Sequence, residues 1–191
     1  MIRPIIAYGD PILRQKSARV PADYPDLKNL IADMFETMYH ASGVGLAAPQ
    51  IGKPMRLFIV DLTPFATDEA NAHMKGFKRI FINAEKIEES GEGWQFNEGC
   101  LSLPTIREDV VRPASITLAY DDGDFNRKRE TFDGLIARVL QHEYDHTEGI
   151  LFTDKLSPLK KRLLKGKLND IARGSVDVNY PMRFPLGGKA R

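Results

Sequence analysis

The sequence predicts an α+β fold, with mixed or antiparallel sheets packed around one central helix and a further helix near the C-terminus. Apolar side chains recur at helical spacing over residues 27–39. Several short strand-like stretches follow over residues 56–132, and helical spacing returns over residues 135–144. Because the strands come as a group instead of alternating with helices, they favour an α+β fold over a parallel α/β sheet.

The first helix is expected over residues 27–39. The preceding segment is rich in proline, which indicates extended chain and turns, and Asp26 is the expected N-cap. The apolar residues lie three and four positions apart, so they form a stripe that we expect to face the core. They are Leu27, Leu30, Ile31, Met34, Phe35, Met38 and Tyr39.

The middle of the chain predicts strands rich in β-branched and aromatic residues, joined by turns. The candidate strands are residues 56–61, 79–83, 110–111, 115–120 and 129–132. Residues 121–124, Asp-Asp-Gly-Asp, predict a turn that pairs the last two strands. Residues 62–78 predict an irregular, exposed excursion.

Two further helices are expected in the last third of the chain. Apolar residues share one face over residues 135–144, and Gly149 is expected to end this helix. Ser157 followed by Pro158 is typical of an N-cap before a proline at the first helical position. This pair predicts another helix that extends to about Ala172.

Length and composition suit one soluble globular domain. The chain has 191 residues, of which 42% are hydrophobic and 28% charged, and its formal net charge is +1. A chain of this size can bury a core without disulfides. The small net charge argues against a general affinity for nucleic acid or membranes. We expect a single catalytic domain over residues 1–173 and an irregular tail over residues 174–191.

The N-terminus and the cysteine content predict a cytoplasmic protein. Pro4 and Gly9 interrupt the first ten residues, so no apolar stretch typical of a secretory signal opens the chain. No apolar run approaches the roughly 18 residues that a membrane-spanning helix needs. The single cysteine, Cys100, cannot form an internal disulfide, which fits a reducing compartment.

The most informative pattern is His-Glu-x-x-His over residues 142–146, inside the second expected helix. Residues four apart lie on one face of a helix, so His142 and His146 can bind a single ion. Glu143 lies one position further round, where its carboxylate can reach a water at that ion. The pattern predicts a metallohydrolase, although such a short match also arises by chance.

A catalytic ion of this kind needs a third protein ligand. No histidine follows His146, and the acidic residues downstream are Glu148, Asp154 and Asp170. Upstream, Cys100 offers a thiolate, which binds zinc or ferrous iron strongly. A lone cysteine in an apolar stretch is also commonly a small buried hydrophobe. The residues alone therefore leave the third ligand open.

A glycine-rich loop occupies residues 43–50, Gly-Val-Gly-Leu-Ala-Ala-Pro-Gln. It formally matches a dinucleotide-binding pattern, but that pattern follows a strand and opens a helix. Here the loop follows a helix and runs into Pro49, so we favour a substrate-binding strand edge or loop. Gln50 offers an amide donor for a developing oxyanion. The alternative is a tight structural loop in which Gln50 only satisfies backbone groups.

Three segments, taken together and in this order, resemble the peptide deformylases, which remove the N-terminal formyl group from new bacterial proteins. The segments are residues 43–50, 98–102 and 141–146. The resemblance extends to about Ala172 and leaves residues 174–191 unmatched. It implies a metal-dependent hydrolase that acts on formyl-methionyl peptides of newly made proteins and releases formate.

The resemblance also implies roles for individual residues. The implied metal ligands are Cys100, His142 and His146. The implied catalytic groups are the Glu143 carboxylate as acid and base, and the Gln50 side chain and Leu101 N–H as oxyanion donors. The implied substrate-binding residues are Val44, Gly45, Gly99, Arg107, Leu135 and Val139. Backbone at the first three would pair with the substrate, and the last two would line the methionine pocket. Arg138 stands where the family often has a hydrophobic residue.

The implied cofactor is one divalent metal ion, ferrous iron in the native protein, with zinc or another divalent ion also able to bind. The implied partners are N-formylmethionyl nascent peptides, with no membrane partner. From residue 155 onward the chain has ten Lys and Arg against two Asp. In the family, a basic C-terminal helix can contact the ribosome, whereas such a charge run is more often a solvated face.

Two alternatives stay open from the sequence. A zinc endopeptidase would cleave internal peptide bonds and take a downstream acidic residue as third ligand, so replacing Cys100 would cost it little metal. A ribosome-associated binding module with a structural metal would need a fourth protein ligand. It would also have no use for a base such as Glu143 beside the ligands.

Overall fold

The computed structural model describes residues 1–187, which contain three α-helices and seven β-strands. The helices are α1 (Leu27–His40), α2 (Gly134–Thr147) and α3 (Pro158–Arg173). The strands are β1 (Ile5–Ile6), β2 (Gly45–Ala47), β3 (Leu57–Asp61), β4 (Lys78–Cys100), β5 (Leu103–Asp121), β6 (Arg127–Asp133) and β7 (Met182–Arg183). The predicted α+β fold class is confirmed.

Five strands form one antiparallel sheet in the order β2-β3-β4-β5-β6, and β1 pairs in parallel with β7 in a separate ribbon. Strands β4 and β5 form a long hairpin of 23 and 19 residues whose register shifts at four places. Such bulges bend paired strands. The hairpin ends where Cys100 pairs with Leu103, so it carries the cysteine at its tip.

Helix α2 lies against strands β2, β3, β5 and β6 and is the most buried of the three helices. Its apolar face, which includes Ala137 and Leu140, packs on an aromatic cluster of the sheet. In that cluster the rings of Phe58 and Phe81 stack with centroids 4.7 Å apart. Each such fully buried ring contributes roughly 1.5–3 kcal/mol of burial free energy. The motif-bearing helix is therefore fixed along its length.

The predicted helices agree with the structure, apart from one cap. Asp26 occupies the N-cap position of α1, but its backbone is left-handed and its side chain makes no capping hydrogen bond. The Asp26 carboxylate instead accepts a hydrogen bond from the side-chain amide of Asn29. Ser157 does cap α3, where its hydroxyl accepts from the Lys160 N–H at 3.3 Å.

The predicted strands were too short. Residues 79–83 begin β4, which continues through residues 87–95, where side chains on both faces are largely exposed. No apolar alternation marks this part, so the sequence carries no signal for it. Residues 62–78 contain two single 3₁₀ turns, at Thr63–Phe65 and Ala72–Met74. No helix within residues 1–187 is long and apolar enough to cross a bilayer.

The described part of the expected tail, residues 174–187, returns to the body of the protein. Strand β7 lies beside β1, and Met182 is only 1% exposed. The hydroxyl of Tyr180 donates to the carbonyl of Leu101 at 2.9 Å. The boundary between a domain over residues 1–173 and a tail stays a prediction, and residues 188–191 lie outside the described part.

Candidate metal centre and active site

The three predicted metal ligands come together at the tip of the β4–β5 hairpin. Ligand atoms of Cys100, His142 and His146 all lie within 4.8 Å of one another. The Cys100 Sγ is 3.2 Å from His146 Nε2, and the two imidazole ring centroids are 5.0 Å apart. One helical turn brings the two histidines to the same face of α2, and the hairpin supplies the sulfur.

This donor set fits a catalytic divalent ion. One thiolate and two imidazoles suit zinc or ferrous iron, and three protein ligands leave a position for water or substrate. His142 Nδ1 lies 2.9 Å from Glu98 Oε2 and donates to it. In the neutral imidazole that hydrogen bond places the proton on Nδ1, which leaves Nε2 as the nitrogen that would bind a metal.

Glu98 is the centre of a buried charge cluster that holds His142 in place. Its carboxylate accepts from Arg112 Nε at 2.7 Å and from Arg138 at 3.0 Å, and all three side chains are at most 4% exposed. Burial alone would raise the pKa of Glu98, but the hydrogen bonds from His142 and Arg112 hold it well below its usual range. The carboxylate therefore stays ionised and keeps accepting from the imidazole.

The cluster continues away from the ligands. Arg112 also donates to Asp145 Oδ2 at 2.6 Å, and Lys155 lies 3.2 Å from the same oxygen. Asp145 is the residue immediately before His146, so the cluster joins the helix to the hairpin beside each of the two histidines. Each buried charge has an opposite charge beside it, which is the condition for burying ions at all.

Arg138, at a position where the family resemblance implies an apolar residue, belongs to this cluster. It is 1% exposed, and it donates to the carbonyl of Val110 at 3.0 Å in addition to Glu98. Its guanidinium lies 4.5 Å from the Trp94 ring centroid. The charged group is thus neutralised by Glu98 and covered by an aromatic face. Arg138 borders the cavity without presenting a free charge to it.

Glu143 lies between the ligands and strand β2. It is 5% exposed, its Oε2 has no hydrogen-bond partner within residues 1–187, and burial raises its pKa to about 7. A Cβ added to Gly45 would lie 2.4 Å from Glu143 Oε1, so only glycine allows this approach. A carboxyl group with a pKa near neutrality can both accept and return a proton.

Contacts at both the oxygen and the nitrogen of its amide group orient the Gln50 side chain. Its Oε1 accepts from the Ala47 N–H at 2.8 Å, and its Nε2 lies 3.3 Å from Ser102 Oγ and 3.5 Å from Cys100 Sγ. The amide oxygen accepts from a backbone N–H, as we expected if Gln50 has a structural role in the loop. The amide nitrogen faces the ligand cluster, where an oxyanion donor would be needed.

A cavity of about 780 Å³ opens in front of the ligand cluster. Of the predicted substrate-binding residues, five line it: Val44, Gly45, Gly99, Arg107 and Val139. Leu135 is not part of the lining among the described residues and packs against the aromatic cluster of the sheet instead. Lining residues that the sequence did not single out are Phe65, Phe96, Ile106 and residues 177–180.

None of the three downstream acidic candidates for the third ligand joins the histidines within the described residues. Glu148 pairs with Arg56, and Asp154 pairs with Arg14. Asp170 is exposed on α3. The cysteine is therefore the candidate third ligand that the fold brings to the histidines.

A protein-family model described as Polypeptide deformylase matches residues 2–162. The chain belongs to this family. A peptide deformylase of Flavobacterium johnsoniae is 56% identical to it over 196 aligned positions, which cover 100% of both chains. One from Salinibacter ruber is 45% identical over 95% of this chain and 94% of its own length.

Solved structures of peptide deformylases share the fold. A crystal structure from Legionella pneumophila has 39% sequence identity and a TM-score of 0.78, and it covers 92% of this chain and 98% of its own. Peptide deformylase 1B of Arabidopsis thaliana has 34% identity and a TM-score of 0.79, with 90% and 91% covered. Peptide deformylases are metal-dependent hydrolases, which agrees with the donor set at the tip of the hairpin.

Proposed function

We propose that this chain removes the formyl group from formyl-methionyl N-termini of newly made proteins and releases formate. The observation that carries the proposal is the position of Glu143. Its unpartnered carboxylate lies beside the Cys100, His142 and His146 cluster and faces an open cavity. A closed structural metal site would have no use for such a group.

The substrate would bind as an added strand along β2. Strand β2 is the edge of the five-stranded sheet, with β3 on its inner side and the cavity on the other. Backbone groups of Val44 and Gly45 would pair with the peptide from one side, and those of Gly99 from the other. Val139 would contact the methionine side chain, and Arg107 would lie near the cavity rim. Leu135, which is partly buried against the aromatic cluster that includes Val139, would have at most an indirect role in the methionine pocket.

The chain's own groups account for the proton transfers. A metal ion held by Cys100, His142 and His146 would polarise the formyl oxygen and lower the pKa of a water. Glu143 takes the proton of the attacking water and later delivers it to the leaving amine nitrogen. The Gln50 amide and the Leu101 N–H donate to the oxygen of the formyl group as it gains charge.

The decisive experiment measures formate release from a formyl-methionyl peptide by protein purified without oxygen. An acetyl-methionyl peptide is the control, because it differs from the formyl peptide only by a methyl group on the reacting carbon and should not be hydrolysed by a deformylase. An internal peptide bond in the same peptide tests the endopeptidase alternative. Cleavage of that bond without formate release would contradict the proposal.

We propose ferrous iron as the native metal, because one thiolate with two imidazoles suits it and the family resemblance implies it. Zinc fits the same donors. Metal analysis of anaerobically purified protein distinguishes the two, with one iron per chain expected. A Cys100→Ser variant should lose most of its metal. If it retains metal, another residue provides the third ligand.

We also propose that α3 contacts the ribosome. Its inner face packs through Leu164 and Leu168, while Leu159 and Leu163 are 66% and 72% exposed among lysines. Cosedimentation with ribosomes should weaken strongly as salt rises, since phosphate contacts release counterions. Binding that does not respond to salt would contradict this proposal, as would the absence of binding at low salt. A cytoplasmic location, which this contact would require, is part of the proposal.

A further inference from the structure

The turn that follows the ligand cysteine is held by segments from both ends of the chain. Leu101 and Ser102 form this turn between β4 and β5. The Leu101 carbonyl accepts from the Tyr180 hydroxyl at 2.9 Å, and the Ser102 carbonyl accepts from the Tyr8 N–H at 2.9 Å. Tyr8 lies just after β1 and Tyr180 just before β7, and these two strands pair with each other.

The turn depends on these contacts because its own conformation does not match the strand twist. Two-residue hairpin turns that fit the twist of paired strands have positive φ angles. Neither Leu101 nor Ser102 is among the described residues with positive φ. A turn with negative φ angles separates the strands, so contacts from outside must fix where its backbone groups point.

The position of Leu101 affects both the proposed oxyanion donor and the strand edge proposed to bind the substrate. Its N–H is the proposed second donor to the oxyanion, beside Gln50. Its side chain covers Gly43, where an added Cβ would lie 2.8 Å from Leu101 Cδ1. Gly43 directly precedes the residues proposed to pair with the substrate. A small movement of the turn would therefore shift both the oxyanion donor and the substrate-binding edge.

We propose that Tyr180 is a positioning residue for the reaction. Its hydroxyl holds the Leu101 carbonyl, and so restrains the backbone torsions of the turn that presents the Leu101 N–H to the oxygen that gains charge. Tyr180 touches no reacting atom in this role. The inference rests on the proposed function, and it adds the segment of residues 177–180, which also lines the cavity, to the active site.

The Tyr180→Phe variant tests this inference because it removes only the hydroxyl. A misaligned oxyanion donor weakens binding of the transition state more than binding of the substrate. We expect kcat for a formyl-methionyl peptide to fall by about 5- to 20-fold with KM nearly unchanged. Tyr24→Phe is the matched control, because Tyr24 packs beside α1 in a different core cluster, and it should match the wild type. An unchanged kcat, or a change confined to KM, would overturn the inference.

A second measurement does not depend on activity. Loss of one hydrogen bond should let the amides of residues 100–103 exchange with deuterium about 5-fold faster in Tyr180→Phe. Tyr24→Phe should leave their exchange unchanged. Unaltered exchange in Tyr180→Phe would overturn the inference even in an active enzyme. A wild type that releases no formate would instead contradict the proposed function, whatever the exchange rates show.

Discussion

At the scale of single residues, Glu143 is the group on which the proposed chemistry depends most. Replacing it with alanine removes the proton carrier but leaves all three ligand side chains in place. We expect formate release to fall by about 100- to 10,000-fold, the usual contribution of a positioned acid or base. Metal content should stay at the wild-type level. Near-normal turnover with bound metal would show that another group moves the proton.

Gly45 is the residue that gives Glu143 its space. A Cβ there would lie 2.4 Å from Glu143 Oε1, so Gly45→Ala must displace either the carboxylate or β2. Displacement by about 1 Å costs roughly 100-fold in rate, and we expect a loss of that size.

The control for this variant is Gly166→Ala on α3. A Cβ at Gly166 has no neighbour within 4 Å, so activity on a short peptide should not change. Stability should rise by about 0.5–1 kcal/mol, because alanine favours a helix interior over glycine. Equal activity in both variants would show that the close approach at Gly45 has no catalytic consequence.

The sequence reveals those residues whose partners are near in the chain. His142 and His146 are found from helical spacing alone, whereas Cys100, 42 positions before His142, is identified only because three short segments resemble a known family. The role of Glu98 is not accessible in this way, although it lies two positions before the cysteine. Its partners Arg112 and His142 are 14 and 44 residues away, and the pairing is created by the hairpin and α2 together.

At the scale of elements, the buried cluster around Arg112 fastens α2 to the β4–β5 hairpin. Arg112→Ala would leave Glu98 and Asp145 buried without that partner. Removing one member of a buried ion pair typically costs about 3–5 kcal/mol, and we expect a loss of that order. Urea unfolding followed by circular dichroism measures it.

The matched control is Arg127→Ala on β6. Arg127 also pairs with two carboxylates, those of Glu85 and Asp121, but its side chain is 44% exposed. Exposed ion pairs contribute about 0–1 kcal/mol, so this variant should unfold near the wild-type midpoint. Equal losses of unfolding free energy in Arg112→Ala and Arg127→Ala would mean that burial does not determine how much the cluster stabilises the fold.

The elements that escaped prediction share a physical cause. Residues 87–95 of β4 lie where both faces of the hairpin are solvated, so no alternation of polar and apolar residues records the strand. Strand β7 has only two residues and is defined by its partner β1 at the other end of the chain. Local sequence cannot encode a pairing over such a distance. By contrast, α1 and α2 carry apolar residues at helical spacing, and α3 opens with the Ser157–Pro158 pair, so local patterns predicted all three helices.

At the scale of the whole molecule, the chain closes on itself, since β7 beside β1 joins its two ends. The N–H groups of Ile5 and Ala7 donate to carbonyls of Pro181 and Arg183, each at 2.9 Å. A chain that ends at residue 173 would lose these bonds and would expose the surface that Met182 covers. We expect residues 1–173 to fold on their own, but with a free energy of unfolding about 2–4 kcal/mol lower.

Two point variants test whether a buried side chain of residues 174–187, and not merely the presence of that segment, provides the free energy of unfolding. Met182→Ala should account for most of that loss, because its side chain is 1% exposed. Leu186→Ala should have no effect, because Leu186 is 71% exposed. The shortened chain should also show the low kcat of Tyr180→Phe, since it lacks the hydroxyl that holds the Leu101 carbonyl. A shortened chain with wild-type stability and kcat would mean that residues 174–187 lie on the protein without supporting its fold or its active site.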